Sequence, residues 1–447
     1  MKKTLAQNTI HFDSKLSFLK EVIEYRLKDN YTNEIPVFLK FDKIMSDDSL
    51  FSKFVREKEL SLEEVITLLL AIVPHISPDF FTKIISDFLP NGGGLPDFGG
   101  VKGKNHRGII PTGETVQFIV AGSDIQKRMQ LTEMFYEEHL FFKEGVLYLG
   151  TVPMGEPKMS GRLMLAEEYI ELFTTGNILK PSLSKDFLAE RIDTQLDWDD
   201  LVVQNKTLQQ IKEIEVWLDY NDIVLNDWNM KSRIKPGYRI LFSGPPGTGK
   251  TLTATLLGKF TGKDVYRIDL SMIVSKYIGE TEKNLSKLFD KAKNKSWILF
   301  FDEADAIFGK RTDVRDAHDK YANQEVSYLL QRIEAHSGLV ILATNFRNNI
   351  DTAFTRRFQS IIEFENPSYK ERLSLWKKNL PNKIALDKSV SLEEISKKYP
   401  LTGANIINVV QYICLKTIAS KHKSILLETV LEGIKKEYLK EGKMVKI

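Results

Sequence analysis

The sequence predicts an α/β protein. A parallel sheet flanked by helices is followed by a small all-helical bundle and preceded by a mixed α/β accessory N-terminal region. Three observations carry this reading. From about residue 196, short apolar runs of strand length alternate with helix-like runs, the pattern of a parallel sheet covered on both faces. Residues 244–251 read Gly-Pro-Pro-Gly-Thr-Gly-Lys-Thr and fit G-x-x-x-x-G-K-[ST] at every fixed position. Residues 297–303 read Trp-Ile-Leu-Phe-Phe-Asp-Glu, an apolar run ending in two acids, as expected of a buried strand that delivers carboxylates to its C-terminal edge.

The bulk numbers bound the rest. At 447 residues the chain exceeds one ordinary core, and two or three domains are expected. Hydrophobic content of 42% with 28% charged residues places it among folded globular proteins. A net charge of +3 over this length gives no nucleic-acid footprint. The single cysteine, Cys414, allows no intramolecular disulfide and fits a reducing, cytoplasmic compartment. It falls in the helix-like run Ile406–Ala419 and reads as a core residue.

Residues 1–90 read as mostly helical. The opening Met-Lys-Lys-Thr-Leu-Ala has no apolar run behind its lysines and is no signal peptide. The apolar stretch Val65–Val73 is too short to span a bilayer. It follows Ser61-Leu62-Glu63-Glu64, a capping box, and is expected to be a buried core helix. Asn91–Gly108 holds seven glycines and reads as a mobile loop without a packed element. Residues 109–190 mix strand-like runs (Thr115–Ala121, Gly145–Thr151) with a helix-like run at Gly161–Thr174. Asp124, Glu133, Glu137, Glu138 and His139 read as a solvated helix face, since no metal-ligand spacing recurs. The region 1–195 is assigned to partner recruitment.

The acidic patch Asp197–Asp200 opens a second domain, 196–366. Strands are expected at Arg239–Ser243, Val265–Asp269, Ile298–Phe301, Leu339–Ala343 and Ile361–Phe364, and a helix at Thr251–Phe260. After Asn366-Pro367, residues 367–447 read as helices only.

The phosphate-loop pattern has a direct physical reading. The backbone N–H groups from Gly247 to Lys250 can wrap a phosphate, and the following helix aims its positive end at it. Glycine lets the backbone approach without a Cβ in the way. The expected nucleotide contacts are Gly244, Pro245, Pro246, Gly247, Thr248, Gly249, Lys250, Thr251 and Leu252. Lys250 is expected on the β- and γ-phosphates of ATP, with Thr251 and Asp302 holding Mg2+. Glu303, one residue on, is the expected general base for the attacking water. Asp305 reads as structural or as a support behind the residues that touch the nucleotide. Asn345 ends the fourth strand, at the carboxyl edge where ligands of open α/β sheets sit, and is expected to position the water or the γ-phosphate. Arg356 and Arg357 read either as a surface pair or as arginines delivered to a neighbouring subunit's γ-phosphate.

With these motifs in this order, residues 196–447 resemble an AAA+ ATPase module, close to the branch containing katanin, spastin and the ESCRT-disassembly ATPases. The resemblance adds Leu401-Thr402-Gly403-Ala404-Asn405, similar to the start of a lid helix, which implies that Gly403 and Ala404 close over the adenosine. It also implies a pore loop at Tyr277, Ile278 and Gly279, where an aromatic ring can grip a polypeptide without a specific hydrogen bond. The segment Gly309–Lys320 falls where a second pore loop would lie. The wording of 321–358 is similar to ATPases accompanying phage-tail-like contractile injection systems. Two departures stand out. Asp200 is followed by Leu201-Val202-Val203 where the family has glycines near the adenine, and no H-E-x-x-H occurs among the seven histidines, which separates the chain from the membrane-protease branch.

The function expected is ATP hydrolysis by a homo-hexameric ring, coupled to remodelling or threading a protein substrate or assembly partner. No nucleic acid and no membrane span are expected. The alternatives are a nucleotide-switched assembly scaffold and a DNA-handling AAA+ protein.

Overall fold

A computed structural model describes residues 2–28, 41, 44–89, 95–176, 180–181, 183–184, 187–273, 279–293, 295–305, 317–345 and 355–442. The chain divides into two compact units, Met1–Lys180 and Pro181–Ile447.

The first unit is mainly helical: α1 (Lys2–Lys28), α2 (Leu50–Glu57), α3 (Leu62–Ile76), α4 (Phe80–Phe88), α5 (Gly113–Ala121), α6 (Ile125–Thr132), α7 (Leu140–Lys143) and α8 (Glu167–Thr174). Two short antiparallel pairs join them, β1 (Val101–Lys102) with β2 (Ile109–Ile110) and β3 (Leu147–Leu149) with β4 (Leu163–Leu165). As expected, α3 starts at a complete capping box between Ser61 and Glu64 and buries every residue from Val65 to Val73. Edge-on aromatic contacts such as Phe12–Phe51 and Phe51–Phe173 tie α1, α2 and α8 together.

Three expectations for this unit are corrected. Thr115–Ala121 is a helix. Its β-branched residues suggest a strand, yet Thr112 caps the segment, and burial of all but Glu114 and Gln117 leaves little of the polar face that helix periodicity would need. Gly161–Thr174 is not one helix, because β4 precedes α8. In the structure Leu163 and Leu165 are buried and Met164 between them is exposed, the period of two of a strand, which the uniformly apolar Leu-Met-Leu does not show in sequence. The stretch 95–102 does carry packed structure: Phe98 is buried between Phe81 and Phe118.

The second unit is built on a six-stranded sheet. In chain order its elements are β5 (Glu190–Ile192), α9 (Asn205–Asp222), β6 (Tyr238–Ser243), α10 (Lys250–Thr261), β7 (Val265–Asp269), α11 (Leu270–Ile273), α12 (Glu280–Ala292), β8 (Ile298–Asp302), α13 (Ala317–Ala335), β9 (Leu339–Thr344) and β10 (Ser360–Glu363). The strands lie in the order β10-β6-β9-β8-β7-β5. All neighbours are parallel except β5, which pairs antiparallel with β7 at one edge. All five strands read from the sequence are present, and β5 was not foreseen. The central strands are continuous apolar runs because helices cover both faces. Leu241, Leu299, Phe301 and Leu342 pack on one side, and Ile240, Phe242, Phe300 and Ile341 on the other.

The C-terminal helical part, the expected lid, comprises α14 (Tyr369–Asn379), α15 (Leu392–Lys398), α16 (Gly403–Ala419) and α17 (Leu427–Lys440) around their own core. It is not purely helical: β11 (Ala385–Leu386) and β12 (Ser424–Ile425) form a short parallel pair. Cys414 is half-buried and packs against this core. No single described helix is long and apolar enough to cross a membrane.

Candidate nucleotide-binding site

Parallel pairing brings the predicted site residues together. Ser243 is level with Thr344, and Asp269 with Asp302. The phosphate loop after β6, the acids after β8 and Asn345 after β9 therefore share one carboxyl edge of the sheet, the place where open α/β sheets bind ligands.

The loop 244–249 is held open by three glycines with positive φ: Gly244 (146°), Gly247 (74°) and Gly249 (105°). A Cβ on Gly244 would lie 2.0 Å from the Phe364 carbonyl oxygen, and one on Gly247 2.6 Å from the Ala404 Cβ. Gly249 then caps α10, whose first turn supplies unpaired amides and the positive end of the helix dipole. Thr248 fastens the turn by donating its hydroxyl to the Pro245 carbonyl at 2.8 Å.

Lys250 is buried. Its ammonium donates to the carbonyls of Gly244 (2.6 Å) and Pro245 (3.0 Å) and to Asn345 Oδ1 (3.0 Å). Burial lowers its pKa to about 8, against the opposing pull of Asp302 and Asp305. Among the described residues its hydrogen bonds all go to neutral acceptors, and a buried cation so held suits an anion. With the glycine cradle, this fits a polyphosphate.

Asp302 ends β8 half-buried, and Glu303 follows it exposed. Glu303 has φ of +54°, uncommon for a non-glycine residue. Its amide donates to Asp302 Oδ1 at 3.0 Å, and the next amide, of Ala304, donates to the Ala343 carbonyl at 2.9 Å. The chain is thereby bent sharply as it leaves the strand. The exposed Thr251 hydroxyl and the Asp302 carboxylate are hard oxygen donors, a set that fits magnesium, which takes few protein ligands and completes its shell with water and phosphate. When bound there, the ion would neutralise charge on the phosphate oxygens.

Asp305 has the supporting role expected of it, whereas the part played by Leu201-Val202-Val203 was not legible in the sequence. Asp305 Oδ1 accepts from Thr344 Oγ1 (3.0 Å) and from the Asn345 amide (3.4 Å), so it orients Asn345. Leu201 lies against the phosphate loop, with its Cδ1 3.1 Å from where a Gly249 Cβ would stand. Val202 packs on the lid core and Val203 on the sheet core. The Leu-Val-Val departure thus forms an apolar strap across loop, lid and sheet. The lid touches the loop directly, as the Ala404 amide donates to the Gly247 carbonyl at 3.3 Å. Leu252 is half-buried against the sheet core rather than at the loop surface.

Arg356 and Arg357 are not at this edge. Both are exposed in the turn before β10, whose first residue, Ser360, is level with Ile240 at the start of β6. Arg357 is ion-paired with Glu334 at the end of α13. Of the expected pore loop, Gly279 is described and caps α12 with φ of 80°. Tyr277 and Ile278, and residues 309–316 of the expected second pore loop, lie outside the described residues, while 317–320 begin α13.

This fold and edge define a nucleoside-triphosphate-binding α/β domain. Residues 240–366 match the family described as AAA, ATPase family associated with various cellular activities, and this stretch is an ATP-hydrolysing domain of that family. The chain is 34% identical over 240 residues to the ATP-dependent zinc metalloprotease FtsH 2 of Thermoanaerobacter sp. (strain X514), covering 51% of this chain and 46% of that protein. It is 33% identical over 214 residues to the proteasome-activating nucleotidase of Methanosphaerula palustris, covering 46% and 52%. It is 31% identical over 237 residues to the cell division cycle protein 48 homolog of Archaeoglobus fulgidus, covering 51% and 31%. The chain therefore spans about half, or less, of the curated relatives it matches.

Proposed function

We propose that the protein is a ring-forming ATPase, a homo-hexamer in the katanin- and spastin-like manner, that couples hydrolysis to remodelling or threading a protein partner. The observation that carries the ring is the position of the arginine pair. Arg239 and Ser243 are four residues apart on β6, about 13 Å at some 3.3 Å per residue. The arginines stand beside the Arg239 end, whereas the phosphate loop begins beyond Ser243. That separation is too long for either arginine to serve its own nucleotide, so an arginine acting on the γ-phosphate acts on a neighbouring subunit's.

In this reading Lys250 holds the β- and γ-phosphates, with Thr251 and Asp302 on magnesium. Glu303 takes the proton of the attacking water. The water oxygen bonds to the γ-phosphorus as the bond to the β–γ bridging oxygen breaks. Asn345, oriented by Asp305, positions the water. Gly403 and Ala404 close the lid over the adenosine, and Tyr277, Ile278 and Gly279 contact the threaded chain. Relatives named as a protease and as a proteasome-activating nucleotidase support a protein substrate over nucleic acid. A cytoplasmic setting, with a contractile-injection-type particle as partner, extends the same proposal.

The test is turnover in mixed rings. Glu303→Gln should lose hydrolysis by orders of magnitude and keep ATP binding. Arg356→Ala/Arg357→Ala should lose about 10³-fold or more. Mixing the two inactive proteins should restore activity, because the arginine-less subunit has an intact site and its neighbour intact arginines. Equal turnover per subunit in dilute monomer and concentrated protein would sink the in-trans site.

A further inference from the structure

β6 reads Tyr-Arg-Ile-Leu-Phe-Ser, and its second residue, Arg239, is 3% exposed. A guanidinium in a buried strand is costly unless its donors are satisfied. Here they are spent on three separate segments. Nη1 donates to the carbonyl of Glu334 (2.9 Å) at the end of α13 and of Pro236 (3.3 Å). Nη2 donates to the carbonyls of Pro236 (3.3 Å) and Gly237 (3.1 Å) in the loop before β6. Nε donates to Gln359 Oε1 at 3.2 Å. The same Gln359 oxygen accepts the Arg239 backbone amide at 2.9 Å, and the Gln359 amide returns a bond to the Arg239 carbonyl at 2.9 Å. Gln359 is thus gripped on both backbone and side chain, two residues after Arg357. Glu334, whose carbonyl Arg239 holds, uses its carboxylate to pair with Arg357. That ion pair is surface-exposed and weak by itself. The buried Arg239 bonds are the rigid part.

We propose that Arg239 is a positioning residue: it fixes the 355–359 turn so that Arg356 and Arg357 project from the sheet's amino edge toward the nucleotide site of a second copy. The inference rests on the in-trans reading above. An apolar side chain would serve packing alone, as Ile240, Leu241 and Phe242 do next to it. The guanidinium's carbonyl bonds instead set the register between the end of α13, the start of β6 and the arginine turn. The site it serves lies on another subunit, so its loss should spare the variant's own nucleotide pocket.

The experiment uses full-length Arg239→Met, Arg239→Lys and Gln359→Ala. For each, nucleotide affinity is measured with a fluorescent ATP analogue and steady-state turnover at ring-forming concentration. Affinity and KM are expected within about twofold of wild type and kcat down about a hundredfold, the scale of a small misplacement of a catalytic group. Arg239→Lys should recover part of the loss. Mixing Arg239→Met with Glu303→Gln should restore turnover, because the misplaced turn is then replaced by the neighbour's correct one. A purely structural role would lower affinity and thermal midpoint together and would not be restored by mixing. Wild-type kcat in Arg239→Met overturns the proposal. So does a loss that mixing fails to restore while Arg356→Ala/Arg357→Ala is restored in parallel. Failure of that control indicts the in-trans reading itself. If Arg239→Met does not fold, Gln359→Ala, which keeps the guanidinium, carries the same expectation.

Discussion

Lys250 links the site to pH. Its pKa is about 8 in the folded chain against an ordinary 10.5. The unfolded chain therefore binds more protons than the folded one between those values, and stability from this group rises with pH across that window. Below about pH 8 the folded protein bears the full cost of the buried charge. Bound phosphates favour the ammonium form, so near pH 9 ATP binding should take up a proton, and affinity should fall as pH rises past 8. Calorimetric titrations in two buffers of different ionisation enthalpy check this: uptake should be close to one proton at pH 9 and near zero at pH 6.5. Equal, buffer-independent enthalpies at pH 9 would exclude it. Glu303 makes a similar point about backbone. Its positive φ costs about 1–3 kcal/mol, which suits a residue held for chemistry rather than stability.

The elements around the loop explain why two glycines of like conformation have different duties. Gly247 and Gly262 both have φ near +70°. A Cβ at Gly247 meets Ala404 and Thr402 at the start of α16, whereas one at Gly262, the C-cap of α10, meets nothing within 4 Å. Gly262→Ala should cost only the backbone strain, about 1–2 kcal/mol, and leave ATP affinity intact. Gly247→Ala should add a clash that pushes the lid from the phosphate loop and lower ATP affinity at least about tenfold, some 1.4 kcal/mol. Melting curves with and without ATP separate the two: the ligand-induced rise in midpoint should persist in Gly262→Ala and collapse in Gly247→Ala.

At the scale of the whole molecule, the contact boundary at Lys180 and Pro181 decides how the N-terminal unit can be removed. Phe187 and Ala189 are buried in the core beside the sheet, and β5 is its edge strand. Deleting residues 1–180 should keep basal hydrolysis and lose partner recruitment. Deleting residues 1–195 should also strip that edge and a buried phenylalanine, a loss on the order of 3–5 kcal/mol, read as a much lower thermal midpoint. Tyr277→Ala should keep basal hydrolysis and lose partner-stimulated remodelling. Normal remodelling in that variant would favour the nucleotide-switched scaffold.

The sequence by itself determined the five parallel strands, the phosphate loop, the acidic pair and Asn345. Each is a local pattern: a run of apolar residues buried on both faces, or glycines that must adopt positive φ beside a fixed lysine. Only the tertiary structure decided that Thr115–Ala121 is a helix, since burial of every residue but the half-buried Gln117 leaves almost none of the polar face by which helices are read. Only it joined β5 to the sheet, across more than seventy residues from its partner β7. The largest such decision concerns Arg239 and Gln359. A lone arginine at the start of a strand has no pattern to announce it. Its role exists only where the end of α13, the start of β6 and the arginine turn converge, at the edge of the sheet opposite the phosphate loop.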